Sequence, residues 1–405
     1  MMIPGLMIGT QGRIFVSGRG VLLGSMDSVR GIWQMVVSGE RIPGELPTGP
    51  ELAARAGLPS GDTLILAQHQ LLALAAVEEA FREAGLPAER NRLRGEGKKQ
   101  RHPRWGCVGG SSLGGLAAME KETSVPGYRP SPYSLSRWRG NSVAAVTALR
   151  HGLGGAVIPV NSASATGAQA LFLAGTMILS GAADLMVAVV SDIALPPRLA
   201  GTMRRNGSVA AAPSSLPLSA GRSGMHPSAG AACIILESEA HAAGRGTLPL
   251  ACWEGGSSVN EALHLLAPED AGSVAGEEMI SLLRRHGRVR GDVDWVSLHA
   301  TGTPRFDAAE IRGLGIAFPD RLPWISAFKR VTGHALGASG LIEAALLAEG
   351  LSCGAVPPWP GGTDPELRIA EREPSVAPVP NTALQLAQGM GGTVVINLLT
   401  SLRGR

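Results

Sequence analysis

Hydrophobic and polar positions divide the chain into short apolar strands and longer amphipathic helices. Arg13-Ile14-Phe15-Val16-Ser17, followed by Gly18 and Gly20, predicts a strand that ends in a glycine turn. Over residues 64–84 apolar side chains recur every three or four positions, and Gly85 with Pro87 closes the segment, which predicts a helix. Residues 105–110 predict a strand that runs into the glycine-rich turn of residues 109–115, and Pro, Ser and Tyr across residues 121–139 predict a long loop. Residues 156–160 form a short apolar strand and residues 165–179 a helix of small side chains. Residues 184–190 contain a continuous apolar run of the kind buried on both faces of a sheet. Ser164 falls at the turn of this strand–turn–helix–strand unit, near a helix N-terminus.

Residues 203–223 are rich in Ala, Ser and Pro without periodicity, which predicts a mobile surface loop. Strands then resume at residues 230–236. A second round follows: strand 250–253, helix 277–286, strand 293–298, helix 307–316, strand 324–327, helix 341–349 and a closing strand 393–399. Two successive mixed α/β halves, residues 1–240 and 241–405, suggest an internal duplication, although no repeat is visible residue by residue.

Composition narrows the class. At 405 residues the chain exceeds one ordinary domain, and 44% hydrophobic against 17% charged residues describes a large buried core. A formal net charge of +3 argues against non-specific nucleic-acid binding. Basic residues cluster in residues 92–104 and at Arg204-Arg205, either as solvated loops or as a docking surface for an acidic protein. Cys107, Cys233, Cys252 and Cys353 lie far apart without a CxxC pair, so buried free thiols are expected, not a disulfide frame or a metal site. No apolar run is read as long enough to span a bilayer, and the first twelve residues lack a signal-peptide pattern, so a soluble cytoplasmic protein is expected. The glycines of residues 109–115 fit no GxxxxGK[ST] phosphate loop and are read as tight turns.

Four blocks carry the chemistry: Ser164-Ala165-Thr166-Gly167, His299-Ala300-Thr301-Gly302-Thr303-Pro304, Lys329 followed by Gly333-His334 and Gly337-Ala338, and Gly389-Met390-Gly391-Gly392-Thr393. In this order and spacing the chain resembles the β-ketoacyl synthases that elongate acyl chains on acyl carrier protein. The resemblance implies a thiolase-like five-layer αβαβα fold of two duplicated halves, usually a homodimer or a heterodimer with a ketosynthase paralogue. It further implies acyl carrier protein as partner, with substrate held on the carrier's phosphopantetheine, no other cofactor and no metal. Ser164 takes the place of the family's nucleophilic Cys. By the same resemblance His299 and His334 polarise a carbonyl, Lys329 shapes the electrostatics around His334, and Thr301 and Thr303 bond the phosphopantetheine arm. The resemblance also implies an oxyanion hole formed by the amides of Ser164 and Met390, in the turn with Gly391. Asp307 and Glu310 match a bracing acidic pair.

Serine alters the expectation. An alcohol lies several pK units above a thiol, and a helix dipole worth ~1 kcal/mol does not close that gap. Ser164 therefore needs a general base, for which His334 and His299 are the candidates. An oxyester is also a poorer acyl donor to carbon nucleophiles than a thioester. The expected activity is thus an acyltransferase loading Ser164 from carrier protein, in fatty-acid or polyketide-type metabolism. The alternatives are a malonyl-carrier decarboxylase or ketosynthase that relies on the histidines, and a non-catalytic partner subunit like a chain-length factor. Met390 stands where the family has a gate phenylalanine, with Gln388 two residues before it, so the acyl pocket is expected to differ in shape.

Overall fold

The structure, a computed structural model, describes residues 12–87, 90–93, 99–212, 215–370, 372–373 and 376–403. The first eleven residues and part of the basic cluster at 92–104 lie outside them, as do residues 213–214 of the expected loop.

Among the described residues ten strands form one mixed sheet: β1 Ile14–Leu23, β2 Trp105–Gly110, β3 Val157–Val160, β4 Leu185–Asp192, β5 Gly230–Ser238, β6 Ala251–Asn260, β7 Trp295–Ser297, β8 Trp324–Ser326, β9 Thr382–Gly389 and β10 Thr393–Thr400. Their spatial order is β3-β2-β4-β5-β1-β6-β10-β9-β7-β8. Numbered within each half, both five-strand sets run 3-2-4-5-1. In both, the third, second and fourth strands are parallel, and the fifth is antiparallel to its neighbours. The duplication that no residue repeat discloses is therefore explicit in topology. The halves join where Ile14–Val16 of β1 pairs with 251–253 of β6.

The helix Thr166–Leu179 follows β3, and the helix Ser339–Cys353 occupies the equivalent place after β8. They pack on each other and on strands of both halves, so they form the middle layer. Helices Gln68–Glu83 and Ser142–His151 cover the outer face of the first half, and Ser273–Arg285 with Pro304–Ala317 covers that of the second. Period-two alternation on β4 sorts the layers. Leu185, Val187 and Val189 pack towards the outer helices, whereas Met186, Ala188 and Val190 join the central core with Leu171 and Leu341.

Several expectations need correction. Gly18 and Gly20 are not a turn: β1 runs through them. A Cβ on Gly20 would lie 1.9 Å from the Ala76 carbonyl oxygen and one on Gly18 2.3 Å from that of Ala80, so the glycines let the helix Gln68–Glu83 lie directly on the strand. Gly109 and Gly110 likewise belong to β2, and Gly114 and Gly115 open a helix. The expected loop begins inside the helix Pro197–Arg205. Residues 336–353 do reach the length and apolarity of a membrane span, but 89% of that window is buried because it is the core of the middle layer. Cys353 is exposed, while the other three cysteines are buried; all four are free.

Candidate active site

The serine turn is built by short-range hydrogen bonds. Asn161 Oδ1 accepts the Ala163 amide at 3.1 Å. Thr166 Oγ1 accepts the Ser162 amide at 2.9 Å and donates to the Ala163 carbonyl at 2.6 Å. These bonds hold Ala163 in the left-handed region at φ 50°, a strained position for a residue with a Cβ. Ser164 directly precedes Ala165, the N-cap of helix Thr166–Leu179, so it lies at the positive end of that helix's dipole.

Two glycines press other blocks against this turn. A Cβ on Gly167 would lie 2.5 Å from the Leu341 amide nitrogen, which seats the helix start on the chain that follows His334. A Cβ on Gly389 would lie 2.3 Å from the Ser162 carbonyl oxygen, which brings the β9–β10 turn alongside. In that turn Gly391 and Gly392 have φ of 93° and 79°, and Asn260 Nδ2 holds the Gly391 carbonyl at 2.7 Å.

His299 stands on the loop after β7. Glu310 accepts the amides of His299 and, at 2.8 Å, Ala300. Asp307 accepts the amides of Gly302 at 3.0 Å and Leu218 at 2.8 Å. The acidic pair thus fixes backbone and does not face the cavity lined by His299. Burial pushes the Asp307 carboxyl up to about 6 and that of Glu310 to about 8, against the pull of the amides they accept.

Lys329 is buried, donates Nζ to the His299 carbonyl at 2.6 Å and pairs with buried Glu343. His334 is fixed by main-chain bonds to His226 and Ser228, and its Nδ1 meets Ser339 Oγ at 3.2 Å. The two imidazoles stand edge to face, 5.8 Å between centroids and 89° between planes. Burial drives both well below the ordinary histidine range. The Lys329 charge adds to this in each, and His334 adds further in His299. Both rings are neutral at neutral pH.

Ser164, His299, His334, Thr301, Thr303 and Met390 line one cavity of about 340 Å³. Its far wall is apolar, with Leu113, Leu199, Met203, Met225, Phe306 and Leu336. Gly391 is not among the lining residues, and Lys329, Asp307 and Glu310 stand behind the lining. Among the described residues no group of three or more His, Cys, Asp or Glu side chains converges as a metal site. Arg204 and Arg205 are exposed and end the helix whose Thr202 and Met203 line the cavity. By contrast Arg104 is paired with Asp184, and Arg101 bonds the Gly154 carbonyl.

Two positioning residues escaped the motif reading. Asp192, fully buried at the end of β4, accepts Ser111 Oγ, Ser112 Oγ and the amides of Ser112, Leu113 and Gly337 at 2.7–3.0 Å. It ties the turn after β2 to the chain after His334. Glu343 is the partner of Lys329. The available signal for each was a lone carboxylate in an apolar run, Val-Val-Ser-Asp and Leu-Ile-Glu-Ala-Ala.

Comparison with known proteins agrees with this geometry. Residues 58–242 match the β-ketoacyl synthase N-terminal domain and residues 251–362 the C-terminal domain. Nodulation protein E of Rhizobium meliloti (strain 1021) is 30% identical over 411 residues, which cover 94% of this chain and 97% of that protein. A 3-oxoacyl-[acyl-carrier-protein] synthase 2 of Mycobacterium tuberculosis (strain ATCC 25618 / H37Rv) is 33% identical over 250 residues, 59% of each chain. The match thus spans well under two thirds of the mycobacterial relative. A type II PKS ketosynthase solved with its acyl-carrier protein and bound to a hexaketide superposes with TM-score 0.82 at 23% identity, covering 97% of this chain and all of that one. The ishigamide ketosynthase/chain length factor gives TM-score 0.80 at 21% identity with the same coverage. These two likenesses establish the thiolase-like fold. Together with the sequence matches over both halves, they place the chain in the β-ketoacyl synthase family.

Proposed function

We propose that the protein is an acyltransferase of ketosynthase fold that accepts an acyl group on Ser164 from an acyl carrier protein and passes it to a further acceptor. One observation carries this reading: Ser164 shares a cavity with two imidazoles that burial and Lys329 keep unprotonated. An unprotonated imidazole is the form that accepts a proton. His334, with Nδ1 anchored on Ser339, takes the Ser164 proton as Oγ bonds to the thioester carbonyl carbon. The carbon–sulfur bond then breaks, and the proton leaves with the carrier thiol. His299 and the amides of Ser164 and Met390 stabilise the oxyanion. Thr301 and Thr303 receive the phosphopantetheine arm, and Arg204 with Arg205 docks the acidic carrier. The sheet ends at β3, where Val157 is 40% exposed, an edge suited to pairing with a second copy or a paralogue.

Single-turnover release of carrier thiol tests the proposal. Wild type should release one thiol per protein chain from an acyl carrier, and Ser164→Ala none. A second reading, decarboxylation of a malonyl carrier, draws support from the two neutral rings at right angles, which can donate to one enolate oxygen without a nucleophile. Carbon dioxide release that survives Ser164→Ala but not His299→Ala favours it. Neither signal, with co-purification of a Cys-containing paralogue, favours a non-catalytic partner subunit.

A further inference from the structure

The strand β9 carries two glutamines that differ in one respect. Gln385 is fully buried and satisfied: its Nε2 donates to the Gly340 carbonyl, and its Oε1 accepts Asn397 Nδ2 at 3.0 Å. Gln388, only 2% exposed, lines the cavity that holds Ser164, and its Oε1 has no hydrogen-bond partner among the described residues. It directly precedes Gly389, the residue pressed against the Ser162 carbonyl, and lines the cavity at that end of β9. A buried amide oxygen without a partner is destabilising, and a purely hydrocarbon occupant would leave it so. Rotation about the terminal torsion offers either the oxygen or the NH₂ to a neighbour, so the group can accept from a hydroxyl or donate to a carbonyl.

We infer that Gln388 is a specificity-determining residue that selects an acyl chain bearing an oxygen, hydroxyl or keto, close to the thioester carbonyl. The inference rests on acyl groups entering this cavity, as proposed above. The amide replaces contact area that an apolar side chain would give to a plain hydrocarbon chain. An oxygen substituent satisfies it. The rest of the wall, with Leu199, Met203 and Met225, accepts the remaining hydrocarbon.

Equilibrium binding reads the preference without any transfer step. Pantetheine analogues with an amide in place of the thioester, bearing 3-hydroxybutyryl, 3-oxobutyryl or butyryl groups, are titrated calorimetrically into the whole protein. At least one oxygenated analogue should bind about tenfold tighter than butyryl, and Gln388→Leu should reduce that advantage to about twofold or less. The hydroxyl and keto arms identify which oxygen is preferred. Equal binding of all three to wild type overturns the inference, as does an oxygen preference that survives in a folded Gln388→Leu variant. Should that variant not fold, Gln388→Met takes its place, and the wild-type comparison is decisive against the inference on its own. A failed Ser164 acylation would leave this binding result intact, so the two readings fail separately.

Discussion

The two halves have one topology and divide the chemistry between equivalent places. After its third strand the first half supplies the Ser164 turn and a central helix; after its third strand the second supplies Lys329, His334 and the other central helix. After the second strand the first half presents Ser112 and Leu113, whereas the second presents His299 and Thr301. The first half holds its serine turn with neutral hydrogen bonds from Asn161 and Thr166, while Asp192 fixes the turn after β2. The second buries Lys329, Glu343, Asp307 and Glu310 behind its histidines. A duplicated frame has thus separated the serine turn from the buried charges, and each can be perturbed alone.

The largest expected effect comes from removing the second half's chemistry. His299→Ala or His334→Ala should lower the acyl-transfer rate by about 10²–10⁴-fold while thermal stability stays near wild type, measured as carrier-thiol release. Next is the charge pair. Glu343→Ala strands the Lys329 ammonium and should cost about 3–5 kcal/mol in urea unfolding, whereas Lys329→Met combined with Glu343→Leu should recover most of it.

A pH titration of stability sharpens the same contrast. Unfolded, each imidazole binds its proton near 6.5; folded, it stays neutral well below that. As pH falls below 6.5 the unfolded chain therefore gains protons first, and stability drops by up to about 1.4 kcal/mol per pH unit for each histidine. Glu310, pushed up to about 8, acts in the opposite sense between its ordinary 4.5 and 8. The histidine contribution is accordingly read as the difference between wild type and His299→Gln, with a shallower acid limb expected for the variant. The smallest effect belongs to the first half's surface. Arg204→Glu with Arg205→Glu should weaken carrier binding several-fold at low salt and less at high salt, because exposed charges are screened. Unchanged affinity would discard this pair as the dock.

The sequence made the site blocks legible because glycines and histidines at fixed spacing serve backbone approach and proton chemistry together. Ser164, His299, His334 and Met390 were assigned from those blocks and share one cavity. The duplication was hidden because it resides in strand order, which different side chains can realise equally well. β9 is not legible as a strand: Gln385 and Gln388 break its apolar pattern, and only the fold shows that one is satisfied by Asn397 while the other lines the cavity. Gly18 and Gly20 misled for a related reason. Their role is set by a helix some fifty residues onward, which local pattern does not contain. Asp192 and Glu343 act on residues more than a dozen positions away, so spacing alone gave no partner for them.

The measurement that bears most directly on Ser164 is the intact mass of the protein after incubation with a panel of acyl-carrier proteins, followed by peptide mapping. An acyl ester located on Ser164, absent from Ser164→Ala and slow to form in His334→Ala, is the predicted result. An unmodified mass in every incubation, with the histidine-dependent release of carbon dioxide from malonyl carrier intact in Ser164→Ala, would contradict it.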